Sequence, residues 1–257
     1  MTDQAAYFRS LHVPGSPLVL VNAWDAASAR IAEEAGSRAV ATTSAGVAWS
    51  LGARDGDVLD ADEAVAAIRR VVAAVQVPVT ADIESGFGAD PGAVAETIRR
   101  VVAAGAVGVN IEDGIRSVEE QSARLAAARG AAGEALFINA RIDEYLRGGH
   151  DLGAVVARAN AFVEAGADGV FVPGVVDPAT IEELVAKIPA PLNVLVGPGA
   201  PTVPQLARLG VARVSLGSGV ASAAYAVVRK ATRETLSAGT YASLTEEIPY
   251  GELNSLL

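Results

Sequence analysis

Short, nearly continuous apolar runs alternate along the chain with longer alanine-rich stretches in which apolar and polar positions mix at helical spacing. The runs fall near residues 18–22, 38–42, 77–83, 107–111, 136–140, 169–172, 192–196 and 212–216. Unbroken apolar runs of this length suit parallel strands covered on both faces. The stretches 25–35, 62–75, 92–104, 118–129, 152–165, 178–187 and 203–209 separate them, and 219–238 follows the last run. Four junctions share one design: "EEAGSRAVATT" (33–43), "VAAGAVGVNIED" (102–113), "VEAGADGVFVPG" (163–174) and "ARLGVARVSLGS" (207–218). In each, Gly36, Gly105, Gly166 or Gly210 stands where a left-handed helix C-cap is wanted.

Regular βα alternation of this kind predicts a (β/α)8 TIM barrel, an α/β fold, as one domain spanning 1–257. A doubly wound open sheet is the alternative. It is disfavoured because "VNAWDAASA" follows the first run, where that fold places G-x-G-x-x-G. Residues 239–257, "GTYASLTEEIPYGELNSLL", exceed what a barrel needs. They are expected to pack on the barrel or on a partner subunit.

Composition narrows the partners. With 257 residues, 51% of them hydrophobic, one large core is affordable, and the net charge of −10 argues against a grip on nucleic acid or anionic lipid. The absence of cysteine removes disulfides, thiolate metal sites and cysteine catalysis. The start, "MTDQAAYFRSLHVPG", shows no basic segment followed by an apolar core. The uncharged stretch Pro189 to Ala207 is too rich in proline for a membrane helix. The expectation is a soluble cytoplasmic protein without nucleic-acid or membrane partners.

Polar residues collect at the predicted strand ends, where barrels of this type carry their chemistry. The first strand ends at Asn22 and leads to Trp24 and Asp25, and the second ends at Thr42, Thr43 and Ser44, with Arg54 and Asp55 beyond. The third ends at Asp82 and Glu84, the fourth at Asn110, Glu112 and Asp113, and the fifth at Asn139, Arg141 and Asp143. Strand side chains alternate, so Asp82 and Glu84 are expected to point the same way, as are Asn110 and Glu112. Asp82, Glu84 and Glu112 would then converge on one point and need a cation or protons to relieve their repulsion. Oxygen donors favour Mg2+ or Mn2+, and with only His12 and His150 a histidine-rich zinc site is unavailable. Arg141 supplies a fixed fork for a carboxylate or phosphonate, or else neutralises Glu112. Thr43 and Ser44, with neighbouring N–H groups, offer a second anion contact. Asp25 reads as a helix N-cap, and Asp113 and Asp143 as loop acids or partners of Arg116 or Arg141. His150, in "RGGHD", reads as a surface residue. The loops "VGPGAP" (196–201) and "LGSG" (216–219) fall where many barrels bind phosphate.

The stretches "NAWDAASA" (22–29), "TTSAGVAWSLGARDGD" (42–57), "ADIESGFG" (81–88), "NIEDG" (110–114), "INARIDEYL" (138–146) and "RVSLGS" (213–218) together resemble the isocitrate lyase/phosphoenolpyruvate mutase superfamily over most of the chain. The resemblance implies an α/β barrel, usually tetrameric, whose last helix swaps onto a neighbouring subunit. It implies Mg2+ held partly through water by Asp55, Asp82, Glu84 and Glu112. It further implies Arg141 on the substrate carboxylate, and backbone groups near Thr43, Ser44 and Ala45 on the other end. Asp55, Arg141 and Glu112 are the candidate catalytic residues. Such enzymes cleave or rearrange 2-oxo acids, hydroxy-dicarboxylates or phosphonates through an enolate-type pyruvate species.

Two departures shape the expectation. Glu84 stands where the superfamily commonly has aspartate. The loop after strand 4, "EDGIRSVEEQ", carries neither the lysine-cysteine-glycine-histidine motif of the isocitrate and methylisocitrate lyases nor, at Ile115, Arg116 and Ser117, the lysine-threonine-asparagine motif of the mutase and phosphonopyruvate hydrolase. The expected protein is a Mg2+-dependent homo-oligomeric lyase, dimer or tetramer, that cleaves a C–C bond in a small 2-oxo or 2-hydroxy (di)carboxylate. Phosphonopyruvate P–C chemistry and a non-catalytic metal- or ligand-binding barrel are the alternatives.

Overall fold

The computed structural model describes residues 2–114 and 116–257. Strands β1 (Leu18–Ala23), β2 (Val40–Thr42), β3 (Val79–Asp82), β4 (Gly108–Glu112), β5 (Phe137–Arg141), β6 (Gly169–Val172), β7 (Leu192–Leu195) and β8 (Arg213–Ser215) form a closed parallel barrel in chain order. Leu18 pairs with Arg213 to close it. The open-sheet alternative is therefore excluded.

Helices α2 (Ala26–Glu34), α4 (Ala61–Ala74), α5 (Pro91–Ala103), α6 (Val118–Ala132), α7 (Leu152–Glu164), α8 (Pro178–Lys187) and α9 (Val203–Arg208) lie between strands, and α10 (Gly219–Ala238) follows β8. Local chemistry starts and stops them. Asp25, Asp60, Asp90, Ser117, Asp151 and Asp177 each cap a helix by accepting a backbone N–H with the side chain. The expected glycines follow the last turn with positive φ, as at Gly105 (φ 94°) and Gly166 (φ 107°). The main core lies between strands and helices, built on residues such as Ile98, Ile111, Leu125, Ile138, Phe162 and Ile181.

Three helices were not expected from the pattern. The first, α1 (Thr2–Ser10), closes the floor of the barrel: Ala5, Phe8 and Leu11 pack with Leu18, Leu20, Ala39, Ala41, Val107 and Phe137. The second, α3 (Ser44–Ser50), sits in the loop after β2, capped by Thr43. The third, α11 (Tyr250–Leu256), lies in the tail. Within the chain, the tail touches α10 and α2. Glu234 of α10 accepts the N–H groups of Ala242 (2.7 Å) and Ser243 (2.8 Å), and Arg30 of α2 donates to Leu256 O (2.7 Å). Only Ala221 of α10 is buried.

Candidate active site

All eight strands, at their C-terminal ends or through the loops beyond them, contribute to a cavity of about 180 Å3 at the C-terminal mouth. Thr43, Ser44, Ala45, Asp55, Asp82 and Arg141 all line it, joined by Asn22 and Asn110. Asp82 is the last residue of β3. Its N–H donates to Thr42 Oγ1 (2.9 Å), and its carboxylate accepts from Glu84 N (3.2 Å) and Ser44 Oγ (3.4 Å). Burial pushes the Asp82 carboxyl up; Arg141 opposes this, and Asp55 and Asp143 add to it.

Glu84 departs from the expected geometry. The chain leaves the strand after Asp82, and Glu84 takes a left-handed conformation (φ 52°). Strand alternation therefore stops short of it. Its carboxylate turns to the loop after β2, where it accepts the N–H groups of Gly56 (3.0 Å) and Asp57. Asp57 (φ 57°) and Phe87 (φ 47°) are likewise left-handed, so this rim concentrates non-glycine residues in a costly region. Thr42, Ser44, Asp82 and Glu84 border a void of about 10 Å3, roughly the room for one water. Burial lifts the Glu84 carboxyl to about 7, against the pull of the Asp57 N–H.

Glu112 also has a partner other than the acids. It stands in register with Arg141, and their side chains meet at 2.8 Å. Arg141 in turn grips Asp143 through Nε (2.6 Å) and Nη2 (3.2 Å). Burial still raises the Glu112 carboxyl to about 8, with Asp82 and Asp143 adding to the rise and Arg141 opposing it. No group of three or more histidines or acids among the described residues is arranged as a ready metal shell.

The remaining expectations divide. Thr43 gives its N–H to Ala23 O (3.0 Å) and its hydroxyl to capping, so Ser44 and Ala45, at the start of α3, hold the N–H groups without an intrahelical acceptor. Asp25 caps α2 through Ser28 N (2.7 Å). Asp143 pairs with Arg141 as expected, whereas Asp113 pairs with Arg158 (3.0 Å) and not Arg116. Arg116 turns to Glu120 (3.3 Å) and does not line the cavity. Ile115 lies outside the described residues. The "LGSG" loop does reach the cavity, but the N–H groups of Leu216 (3.0 Å) and Gly217 (2.9 Å) both go to Asn22 Oδ1.

Sequence reasoning missed Arg213. It is the bulkiest fully buried side chain, and it points into the barrel beneath the cavity. Its Nη2 donates to Asn110 Oδ1 (3.2 Å), which also accepts from Asn139 (2.9 Å), while Nε and Nη1 have no partner among the described residues. Burial lowers its pKa to about 9, opposed by attraction to Asp82. The signal was present: an arginine at an inward position of the apolar run "RVSLGS".

A profile described as phosphoenolpyruvate phosphomutase matches residues 8–236. The chain belongs to the isocitrate lyase/phosphoenolpyruvate mutase superfamily. It is 32% identical over 208 residues to the 2-methylisocitrate lyase of Escherichia coli, covering 71% of this chain and 70% of that one. A protein of Mycobacterium tuberculosis is 41% identical over 256 residues, covering 97% and 95%. Among solved structures, a phosphonopyruvate hydrolase in complex with oxalate and Mg2+ superposes with a TM-score of 0.86 at 25% identity, covering 98% of this chain and 94% of that one. The superfamily comprises lyases, hydrolases and mutases acting on small carboxylates or phosphonates, which supports an enzyme of that type. No helix of the described residues is long and apolar enough to cross a membrane.

Proposed function

We propose that the protein is a Mg2+-dependent lyase that breaks a C–C bond in a small 2-oxo or 2-hydroxy carboxylate, with Mn2+ an acceptable substitute. The observation that carries this is the meeting of Asp82, Asp55 and Arg141 in one cavity, with Glu84 and Glu112 raised to about 7 and about 8 just outside it. Buried carboxylates held away from their ionised form mark an anionic site with room for added positive charge. The donor set fits a small hard cation. Mg2+ keeps several waters and takes one or two carboxylates directly, so Asp82 would hold it, with Asp55, Glu84 and Glu112 reached through water. When bound, the ion supplies positive charge to the substrate oxygen on which electron density develops.

The chain's own residues supply the rest. Arg141 binds the substrate carboxylate and fixes the plane of the breaking bond. Glu112 and Asp143 hold that guanidinium from two sides. Asp55 accepts the proton of a hydroxyl on one carbon of the breaking bond, that carbon becomes a carbonyl, and the bonding electron pair passes to the other carbon, whose adjoining oxo or carboxylate group takes it up as an enolate. Ser44 and Ala45 offer N–H groups to the other end of the substrate. We also propose a homo-oligomer in the cytoplasm, built on the exposed face of α10, where Val227 and Val228 are uncovered.

C–C cleavage is preferred to P–C chemistry because the glycine loop after β8 has its N–H groups committed to Asn22, leaving a doubly charged phosphonate fewer donors. Turnover of a panel of 2-oxo and 2-hydroxy acids, with and without EDTA, tests the reading. Activity that survives chelation overturns it, and phosphorus NMR of phosphonopyruvate incubations separates the P–C alternative. Tight oxalate binding with Mg2+ but no turnover of any acid would mark a binding barrel instead.

A further inference from the structure

The cavity wall is divided into two sectors. The lining residues from Asn22 to Asp82, with Asn110, Arg141 and, from β8 and the loop after it, Ser215 and Ser218, are almost all polar, whereas Leu146, Phe171, Pro173 and Leu195 form an uncharged apolar sector contributed by the loop after β5 and by β6 and β7. Arg141 is the only cation lining the cavity among the described residues. The connection from β4 to α6, residues 113–117, places no second one there. Its arginine, Arg116, contacts Glu120 at 3.3 Å, and its carbonyl accepts from Arg158 Nη2 (3.0 Å).

Leu146 is held at the rim by backbone geometry. Gly174 is left-handed (φ 89°), and a Cβ built on it would lie 2.7 Å from Leu146 N. Only glycine permits the two loops to approach so closely. Arg147, the next residue, donates to Gly114 O and ties the same loop to the segment after β4. Leu146 remains 49% exposed although it lines the cavity, so its side chain is available to a ligand.

A carboxylate placed in this sector would lose water and gain no charged partner, whereas a hydrocarbon would cover Leu146, Phe171 and Leu195. Resting on the lyase reading above, we propose that the substrate has one anchored carboxylate, beside a 2-oxo carbon that takes up the bonding pair as an enolate, and an alkyl group at its far end. Leu146 and Leu195 are the residues that select this group against a second carboxylate.

The test is calorimetric and needs no turnover. In Mg2+-loaded protein, 5-methyl-2-oxohexanoate and 2-oxoglutarate are compared, because they differ by isopropyl for carboxylate at the far end; oxalate is the control. The alkyl acid is expected to bind at least tenfold tighter, and Leu146→Arg is expected to shift the ratio toward 2-oxoglutarate by at least tenfold. Leu195→Arg provides a second variant from the same sector. Oxalate binding together with a wild-type preference for 2-oxoglutarate overturns the alkyl assignment alone. An unmoved ratio in both variants does the same. Failure of oxalate to bind overturns the lyase site and this assignment with it.

Discussion

Arg141 and Glu112 face each other in register across β5 and β4, with Nη1 2.8 Å from the Glu112 carboxylate, and Asp143 holds the other side of the same guanidinium. A planar fork braced on two sides has one free direction for a ligand. Lysine retains the charge but not the fork. Arg141→Lys is expected to lower kcat/KM by about 100-fold, since small misplacement of a reacting group costs about that much. Steady-state kinetics would check it, and a loss below about 5-fold would show that charge alone suffices.

Asp82 and Glu84 are predicted to separate under mutation. Asp82→Asn should abolish turnover and also abolish the rise in melting temperature that Mg2+ gives the wild type, because a ligand bound only to the folded state stabilises it. Above pH about 7, where Glu84 is ionised, Glu84→Gln removes a charged acceptor from the Gly56 and Asp57 N–H groups. Hydrogen bonds to a charged group contribute about 1.5–3 kcal/mol each, so urea denaturation should show a loss of that order. Identical behaviour of the two variants would refute the division of labour.

His12 makes the floor of the barrel acid-sensitive. It stacks on Phe137 (4.0 Å), hydrogen-bonds Phe8 O through Nδ1 (2.9 Å), and is held down to about 3 from 6.5, first by burial and then by Arg213. The unfolded chain therefore binds this proton more readily than the folded one. Stability from this group is complete above pH 6.5 and falls as the pH drops toward about 3. One proton corresponds to about 1.4 kcal/mol per pH unit. Denaturant melts of wild type and His12→Phe from pH 7.5 to 5 should diverge by about that slope below 6.5, with the variant the less acid-sensitive. Parallel curves would refute the assignment.

Arg213 carries a buried charge with two unpartnered nitrogen positions. Removing such a charge is often neutral or stabilising when the replacement fills the space. Arg213→Met is expected to keep or raise the melting temperature. It should lower kcat/KM by about 10-fold, since Asn110 loses a donor and Asp82 a nearby cation; the figure is an order of magnitude for disturbed positioning. A large fall in stability with unchanged kinetics would make Arg213 a purely structural residue.

The barrel was legible because its cues are local. Apolar runs, aspartate and serine N-caps and glycine C-caps recur in a fixed order, and each acts within a turn or two of chain. That order also assigns Asp82, Glu112 and Arg141 to the ends of neighbouring strands, where the folded chain has them. The floor helix was not legible: "TDQAAYFRS" has a weak apolar stripe, and Phe8 finds its partners only on distant strands.

From sequence alone, then, came the closed order of strands and helices and the strand ends on which the acids and Arg141 stand, since periodicity and capping operate between near neighbours. Tertiary structure alone decided which of those groups share a cavity. Glu84 leaves the strand in a left-handed turn and binds a loop 27 residues away, Glu112 pairs across the sheet, and Arg213 enters from β8. Those choices depend on side-chain direction after the strand ends and on contacts between distant segments, which no local pattern encodes.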